Sequence, residues 1–195
     1  MIVILGMHLS GTTMLAEMVC ATGHRVKPPL MKADEQHPNG HFENTIICRT
    51  NRIILRLAGG GWSNPPSHKK IMRLKIPKFL SKGHDVVKDP RLCLTLPLWD
   101  FTGKIVVINR PDDEIAQSLK QRNGIPYSEG RALCKIYRTR LFFNIMNRTY
   151  HTVYYNDLLE NKGTEIGRLA DYLETTKIDE MKAVINKDLR HFRNE

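Results

Sequence analysis

Residues 2–13 read Ile-Val-Ile-Leu-Gly-Met-His-Leu-Ser-Gly-Thr-Thr. A short, uninterrupted apolar run of this kind is the mark of a strand buried on both faces. It leads directly into a turn in which Gly6 and Gly11 stand at G-x-x-x-x-G spacing. Such a loop wraps a phosphate with backbone N–H groups and with the N-terminus of the helix that follows. Ser10, Thr12 and Thr13 add hydroxyl donors to that nest. Thr12, however, stands where triphosphate-binding loops carry the lysine that reaches the β- and γ-phosphates. The chain thus announces an anion-binding nucleotide fold while arguing against ATP or GTP.

The rest of the chain repeats the strand-to-helix alternation. Apolar strand patterns fall at Ile2–Leu5, Asp85–Val87, Lys104–Ile108 and Thr152–Tyr155. Helical patterns fall at Gly11–Ala21, Glu43–Leu57, Lys69–Ser81, Asp112–Arg122, Ser128–Arg148, Thr164–Glu174 and Asp179–Leu189. Alternation of this kind implies right-handed crossovers and an α/β, P-loop-type, three-layer fold, with a parallel sheet of about four to five strands flanked by helices. At 195 residues the chain suits a single domain, 1–195, whose C-terminal part from about 128 to 195 is mainly helical. Pro111 stops the third strand, and Asp112 is placed to cap the next helix. The polar, Pro-rich loops Lys27–Gly40 and Gly59–Ser67 are the natural rim of a binding site.

Composition narrows the partners. A formal charge of +10 calls for an anion: nucleic acid, a phosphorylated cofactor, an acidic polysaccharide or an anionic membrane surface. A generally basic solvated surface is the bland alternative. Cys20, Cys48, Cys93 and Cys134 are scattered without C-x-x-C spacing, so they suggest neither a zinc site nor a redox pair. No apolar run reaches the roughly 20 residues that span a bilayer. The opening strand leaves no room for a secretory leader, which makes the cytoplasm the expected location.

A second anion-binding pair sits at the exit of the third strand. Arg110 and Ser118 are eight positions apart. A helix starting near Asp112 brings both over the strand end, where they can converge on one phosphate, the arginine as a charge-assisted fork. Metal-assisted phosphoryl chemistry would want an acid at a neighbouring strand exit. The third strand ends in Asn109-Arg110; only Asp89, after Val86-Val87, is placed for that role, and no metal is expected.

Taken together these pieces resemble the sulfotransferases that use 3′-phosphoadenosine 5′-phosphosulfate (PAPS). Ser10-Gly11-Thr12-Thr13 is similar to that family's 5′-phosphosulfate loop, and Arg110 with Ser118 to its 3′-phosphate pair. Gly40-His41-Phe42-Glu43 resembles the G-x-[WF]-E stretch of bacterial-type members. Lys88-Asp89-Pro90-Arg91-Leu92, with Pro97 and Trp99, resembles their K-D-P-R-L-x-x-x-x-P-x-W segment. Tyr155-Asn156-Asp157-Leu158 resembles their Y-E-D-L element, whose tyrosine lies near the adenine. The matches run from residue 2 to about residue 160.

The resemblance implies PAPS as donor, bound by Gly6, His8, Ser10, Gly11, Thr12, Thr13, Arg110, Ser118 and Tyr155. It implies a small-molecule or carbohydrate acceptor, possibly anionic, met by Arg91 and His37. The acceptor proton needs a base within reach; Glu43 is the first candidate, then His41 and His37, although a carboxylate at a helix start also serves the helix dipole. One departure matters: the family's basic residue before S-G-T is Leu9 here, and His8, Lys88 or Arg91 would have to replace it. A catalytically silent binder and a kinase-like phosphotransferase stay open. The low aromatic content, 7%, speaks against a nucleic-acid module. Lys69, Lys70, Arg73, Lys75 and Lys78 form a basic stretch suited to an acidic polysaccharide or to a solvated face.

Overall fold

The computed structural model describes residues 1–34, 38–160 and 163–185. Among them a single sheet has four parallel strands, β1 (Ile2–Leu5), β2 (Val86–Lys88), β3 (Lys104–Asn109) and β4 (Tyr150–Tyr154), in the order β2-β1-β3-β4. The helices are α1 (Thr12–Ala21), α2 (Thr45–Leu57), α3 (His68–Met72), α4 (Leu92–Thr95), α5 (Asp112–Asn123), α6 (Tyr127–Ile145), α7 (Tyr155–Leu159), α8 (Gly163–Leu173) and α9 (Ile178–Ala183).

The period-two geometry of a strand sorts the core into two layers. Val3, Leu5, Val87, Ile105 and Val107 face a cluster closed by α2, α3, α4, α5 and α6. Ile2, Ile4, Val86, Val106 and Ile108 face a second cluster closed by α1, α7, α8 and α9. Both faces are covered, which is why β1 and β3 read as continuous apolar runs rather than alternating ones.

Several expected boundaries move, each for a local reason. The helix expected over Lys69–Ser81 is two pieces, α3 and a 3₁₀ turn at Lys78–Ser81. Pro77 separates them, since it has no N–H to give and disfavours helix at the residue before it. α2 starts at Thr45 rather than Glu43, because the Asn44 side chain caps it by accepting from the N–H groups of Ile46 and Ile47 (3.0 and 3.1 Å). Glu43 is thereby left outside the helix. Pro111, not Asp112, takes the cap position of α5, and Asp112, Asp113 and Glu114 fill its first turn, where carboxylates suit the dipole. β4 ends one residue early, and Tyr155 begins α7. The segment after residue 128 therefore carries the fourth strand as well as helices. Of the helix expected over Asp179–Leu189, residues 186–189 lie outside the described residues, and α9 ends at Ala183.

Candidate functional site

In a parallel sheet with helices on both faces, ligands meet the carboxyl ends of the strands. All four strands contribute here. The Gly6–Gly11 loop leaves β1, Lys88 is the last residue of β2, Arg110 follows β3 and Tyr155 follows β4. These ends open into a cleft of about 340 Å³. His8, Gly11, Thr12, Thr13, His41, Glu43, Lys88, Arg91, Arg110, Ser118 and Tyr155, all selected from the sequence, line it. His37 lies outside the described residues.

The loop is held by its own atoms. Ser10 is buried, and its hydroxyl donates to the Met7 carbonyl (2.7 Å), so it shapes the loop from within rather than facing the cleft. Gly6 also lies beneath the loop: a Cβ there would sit 2.6 Å from both Ile108 Cγ2 and Ser10 Oγ. Gly11 has φ of 94°, and a Cβ would meet the Tyr155 ring at 2.3 Å. Only glycine fits both the left-handed backbone and that approach. Leu9 is itself left-handed, with φ of 66°. This turns its carbonyl toward Arg110, while its side chain packs against the sheet's first cluster.

At one end of the cleft, Lys88 and Glu43 form a buried ion pair (2.7 Å). The Lys88 ammonium also donates to Thr13 Oγ1 (3.1 Å) and to the His41 carbonyl (2.9 Å), which uses all three of its hydrogens. Gly40 and Phe42 both have positive φ (92° and 54°), and the resulting turn aims the His41 carbonyl and the Glu43 carboxylate at the same ammonium. The His41 ring instead pairs with Asp34 (2.9 Å). Burial would raise the Glu43 carboxyl's pKa, but Lys88, by charge and hydrogen bond, outweighs it and holds the group below the usual carboxylate range. The Cys48 thiol donates to its other oxygen (3.1 Å).

Behind this pair, Asp89 is wholly buried and acts as a hub. It accepts from Asn51 Nδ2 (2.8 Å), from the Arg91 backbone N–H (3.0 Å) and from the Arg91 guanidinium (2.7 Å). Asn51 in turn accepts from Thr95 Oγ1 (2.8 Å) and Trp99 Nε1 (2.9 Å). The Lys88–Trp99 segment is thus one hydrogen-bonded unit that presents Arg91 to the cleft. Glu43, Cys48 and Asp89 place potential ligand atoms within 4.8 Å of one another. Lys88, Arg91 and Asn51 already engage their carboxylates.

At the other end, Arg110 is buried. It donates from Nε to Glu114 (3.0 Å) and from Nη1 to the Leu9 carbonyl (2.8 Å), with its guanidinium 4.5 Å from the centre of the Tyr155 ring. Its Nη2 is buried with no partner among the described residues. Asn156 Nδ2 supports Glu114 from α7 (2.8 Å). The Ser118 hydroxyl lies one turn beyond Glu114 and donates to that residue's carbonyl (2.8 Å), so it must rotate to serve a ligand.

His8 packs its ring against Trp62 (4.5 Å between centroids), and its Nε2 is buried without a partner among the described residues. Burial first, then the charges of Arg91 and Lys88, push its pKa down to about 3 against the opposing pull of Asp89. It is a neutral imidazole at physiological pH, not a cation that replaces the basic residue missing at Leu9.

Glu114, Asn51, Asn156, Trp62 and Arg122 were not singled out from the sequence. Two had a signal: Arg122, another cleft residue, stands four after Ser118, the spacing of side chains on one helix face, and Asn156 lies within the Tyr155–Leu158 segment. Asn51, Glu114 and Trp62 join through packing alone. A second cavity, about 170 Å³, lies behind the loop between β3, β4 and α6. Cys93 and Cys134 line it; both are buried, and burial pushes their thiols up to about 12.

No protein-family model matches the chain, and no curated protein does. Solved structures do. The sulfotransferase domain from the Synechococcus PCC 7002 olefin synthase aligns with a TM-score of 0.56 at 15% identity, over 99% of this chain and 82% of that one. The sulfotransferase domain from the curacin biosynthetic pathway aligns with a TM-score of 0.57 at 14% identity, over 98% and 80%. The chain has the sulfotransferase fold.

Proposed function

We propose that the protein is a PAPS-dependent sulfotransferase. The observation that carries this reading is the orphaned Nη2 of Arg110, a buried cationic donor beside the Gly6–Gly11 loop, in a cleft that Gly11, Thr12 and Thr13 also line. A buried donor without a partner costs about 1–3 kcal/mol, and an anion with two phosphate-like ends would satisfy both features at once. The residues fit that ligand: the amides and hydroxyls of Gly11, Thr12 and Thr13 for the 5′ end, Arg110 and Ser118 for the 3′-phosphate, and Tyr155 beside the guanidinium for the base.

PAPS, when bound, supplies an activated sulfuryl group that leaves 3′-phosphoadenosine 5′-phosphate behind. The chain's part is to hold charge and exclude water. Lys88, held at Thr13 from β2, brings to the loop the cation that Leu9 cannot supply; it donates to the ligand once one of its three bonds, to Thr13, the His41 carbonyl or Glu43, opens, and donors of this kind are worth roughly 10²–10³ in turnover. Glu43 is held ionised beside it and accepts a proton only when the Lys88 hydrogen bond yields to the acceptor. Arg91 and His41 line the acceptor side. The acceptor is a small molecule or carbohydrate hydroxyl or amine.

Calorimetric titration tests this. Binding of 3′-phosphoadenosine 5′-phosphate should exceed that of AMP and of ATP with Mg²⁺. Replacing Arg110 with Lys should remove most of the preference over AMP, because an ammonium cannot form the guanidinium fork. Equal affinity for AMP would sink the reading. Tight binding without turnover, unchanged in Lys88→Met, would favour the silent-binder alternative that Leu9 raises.

A further inference from the structure

Positions 44–84 contain no Asp or Glu but nine Lys or Arg, nearly the whole net charge of the chain. All nine are exposed, and none is ion-paired with an acid among the described residues. A basic surface that only maintained solubility would intersperse charges of both signs.

α2 sets the geometry of this region. Ile47, Cys48, Asn51, Ile54 and Leu55 face the core. The outward side therefore presents Arg49, Arg52 and Arg56 among Ile46, Ile53 and Leu57. Leu57 and Phe79 are each 70% exposed. α3 and the 3₁₀ turn belong to the same layer: Ile71 is buried in the cluster that holds Ile47 and Ile54, and Leu80 packs against it. None of the nine cations lines either cavity.

We propose that this face docks on an anionic membrane surface. Clustered Lys and Arg meet the anionic headgroups, and the protruding Ile46, Ile53 and Leu57 of α2 enter the boundary between headgroups and acyl chains. Nucleic acid would be better served by aromatic stacking platforms, whereas the outward side of α2 sets aliphatic side chains between arginines. An acidic protein would need shaped apolar pockets for Ile53 and Leu57; a fluid bilayer accepts them wherever they project. No helix among the described residues is long and apolar enough to cross a membrane, so the contact is peripheral.

The test is co-sedimentation of the full chain with vesicles of phosphatidylcholine alone and of phosphatidylcholine with phosphatidylserine. Binding should require the anionic lipid and should weaken as salt rises. The triple variant Arg49→Gln/Arg52→Gln/Arg56→Gln should bind on the order of 100-fold more weakly, since each cation near such a surface contributes about fivefold. Leu57→Ser should weaken binding about tenfold without changing its salt slope. Unchanged thermal unfolding midpoints verify that these exposed substitutions leave the fold intact. The proposal is overturned if the mixed vesicles do not bind the protein, if Leu57→Ser binds them as the parent does, or if duplex DNA or polyglutamate binds more tightly than the vesicles.

Discussion

Separating Lys88 from Glu43 is the sharpest test of how the cleft is built. The pair is 2.7 Å apart, and both side chains are almost fully buried. Removing one member of such a pair strands the other charge, at a cost of about 3–5 kcal/mol. Glu43→Gln keeps an amide oxygen for Lys88, and Thr13 and the His41 carbonyl remain as acceptors, so the lower end, about 3 kcal/mol, applies. Lys88→Met strands Glu43 with only the Cys48 thiol in direct contact and should cost at least as much. The double variant restores neutrality, so urea unfolding of all four proteins at neutral pH should give a coupling energy of about 2 kcal/mol. The pH dependence has a defined sign. The Glu43 pKa is depressed in the folded state, so its contribution is fully present above the unfolded value of about 4.3. It is lost as pH falls through the folded value. The stability gap between the parent and Glu43→Gln should therefore close in acid. A coupling energy below about 0.5 kcal/mol, within the additivity expected of independent sites, would refute the reasoning.

Two further outcomes follow from the loop. Gly11→Ala should lower stability by at least roughly 1–2 kcal/mol from its left-handed backbone alone; displacement of the Tyr155 ring and of the Arg110 guanidinium stacked on it adds to this, read as a urea midpoint shift together with weakened nucleotide binding. His8 should show no ring titration by proton NMR between pH 8 and 5. Its folded pKa lies below the unfolded value, so the unfolded chain binds the extra proton, and stability falls from about pH 6.5 toward pH 3; His8→Phe should remove that component of the slope.

The anion nest was legible from residues 2–13 because a strand, two spaced glycines and a hydroxyl cluster dictate local backbone geometry with little help from elsewhere. The strand exits were legible too, since continuous apolar runs mark strands buried on both faces. The Lys69–Ser81 segment was misread as one helix because its apolar spacing outweighed the signal of Pro77. The sequence offers Glu43 as a candidate base at a helix start; the Asn44 cap leaves it outside the helix, and the Gly40–Phe42 turn aims it at Lys88, a partner 45 positions away that no local pattern announces.

The linear chain by itself determined which residues would stand at the carboxyl ends of the strands. Local propensity and period-two burial act over a few neighbours, and the parallel sheet then collects those ends on one edge. Tertiary structure alone decided what charge each group carries. Burial beside Arg91 and Lys88 keeps His8 neutral, Lys88 keeps Glu43 ionised, and the closing of Leu9 and Glu114 on Arg110 leaves one of its donors without a partner. Each of these is a balance between desolvation and a contact distant in sequence, and such a balance exists only once the chain has packed.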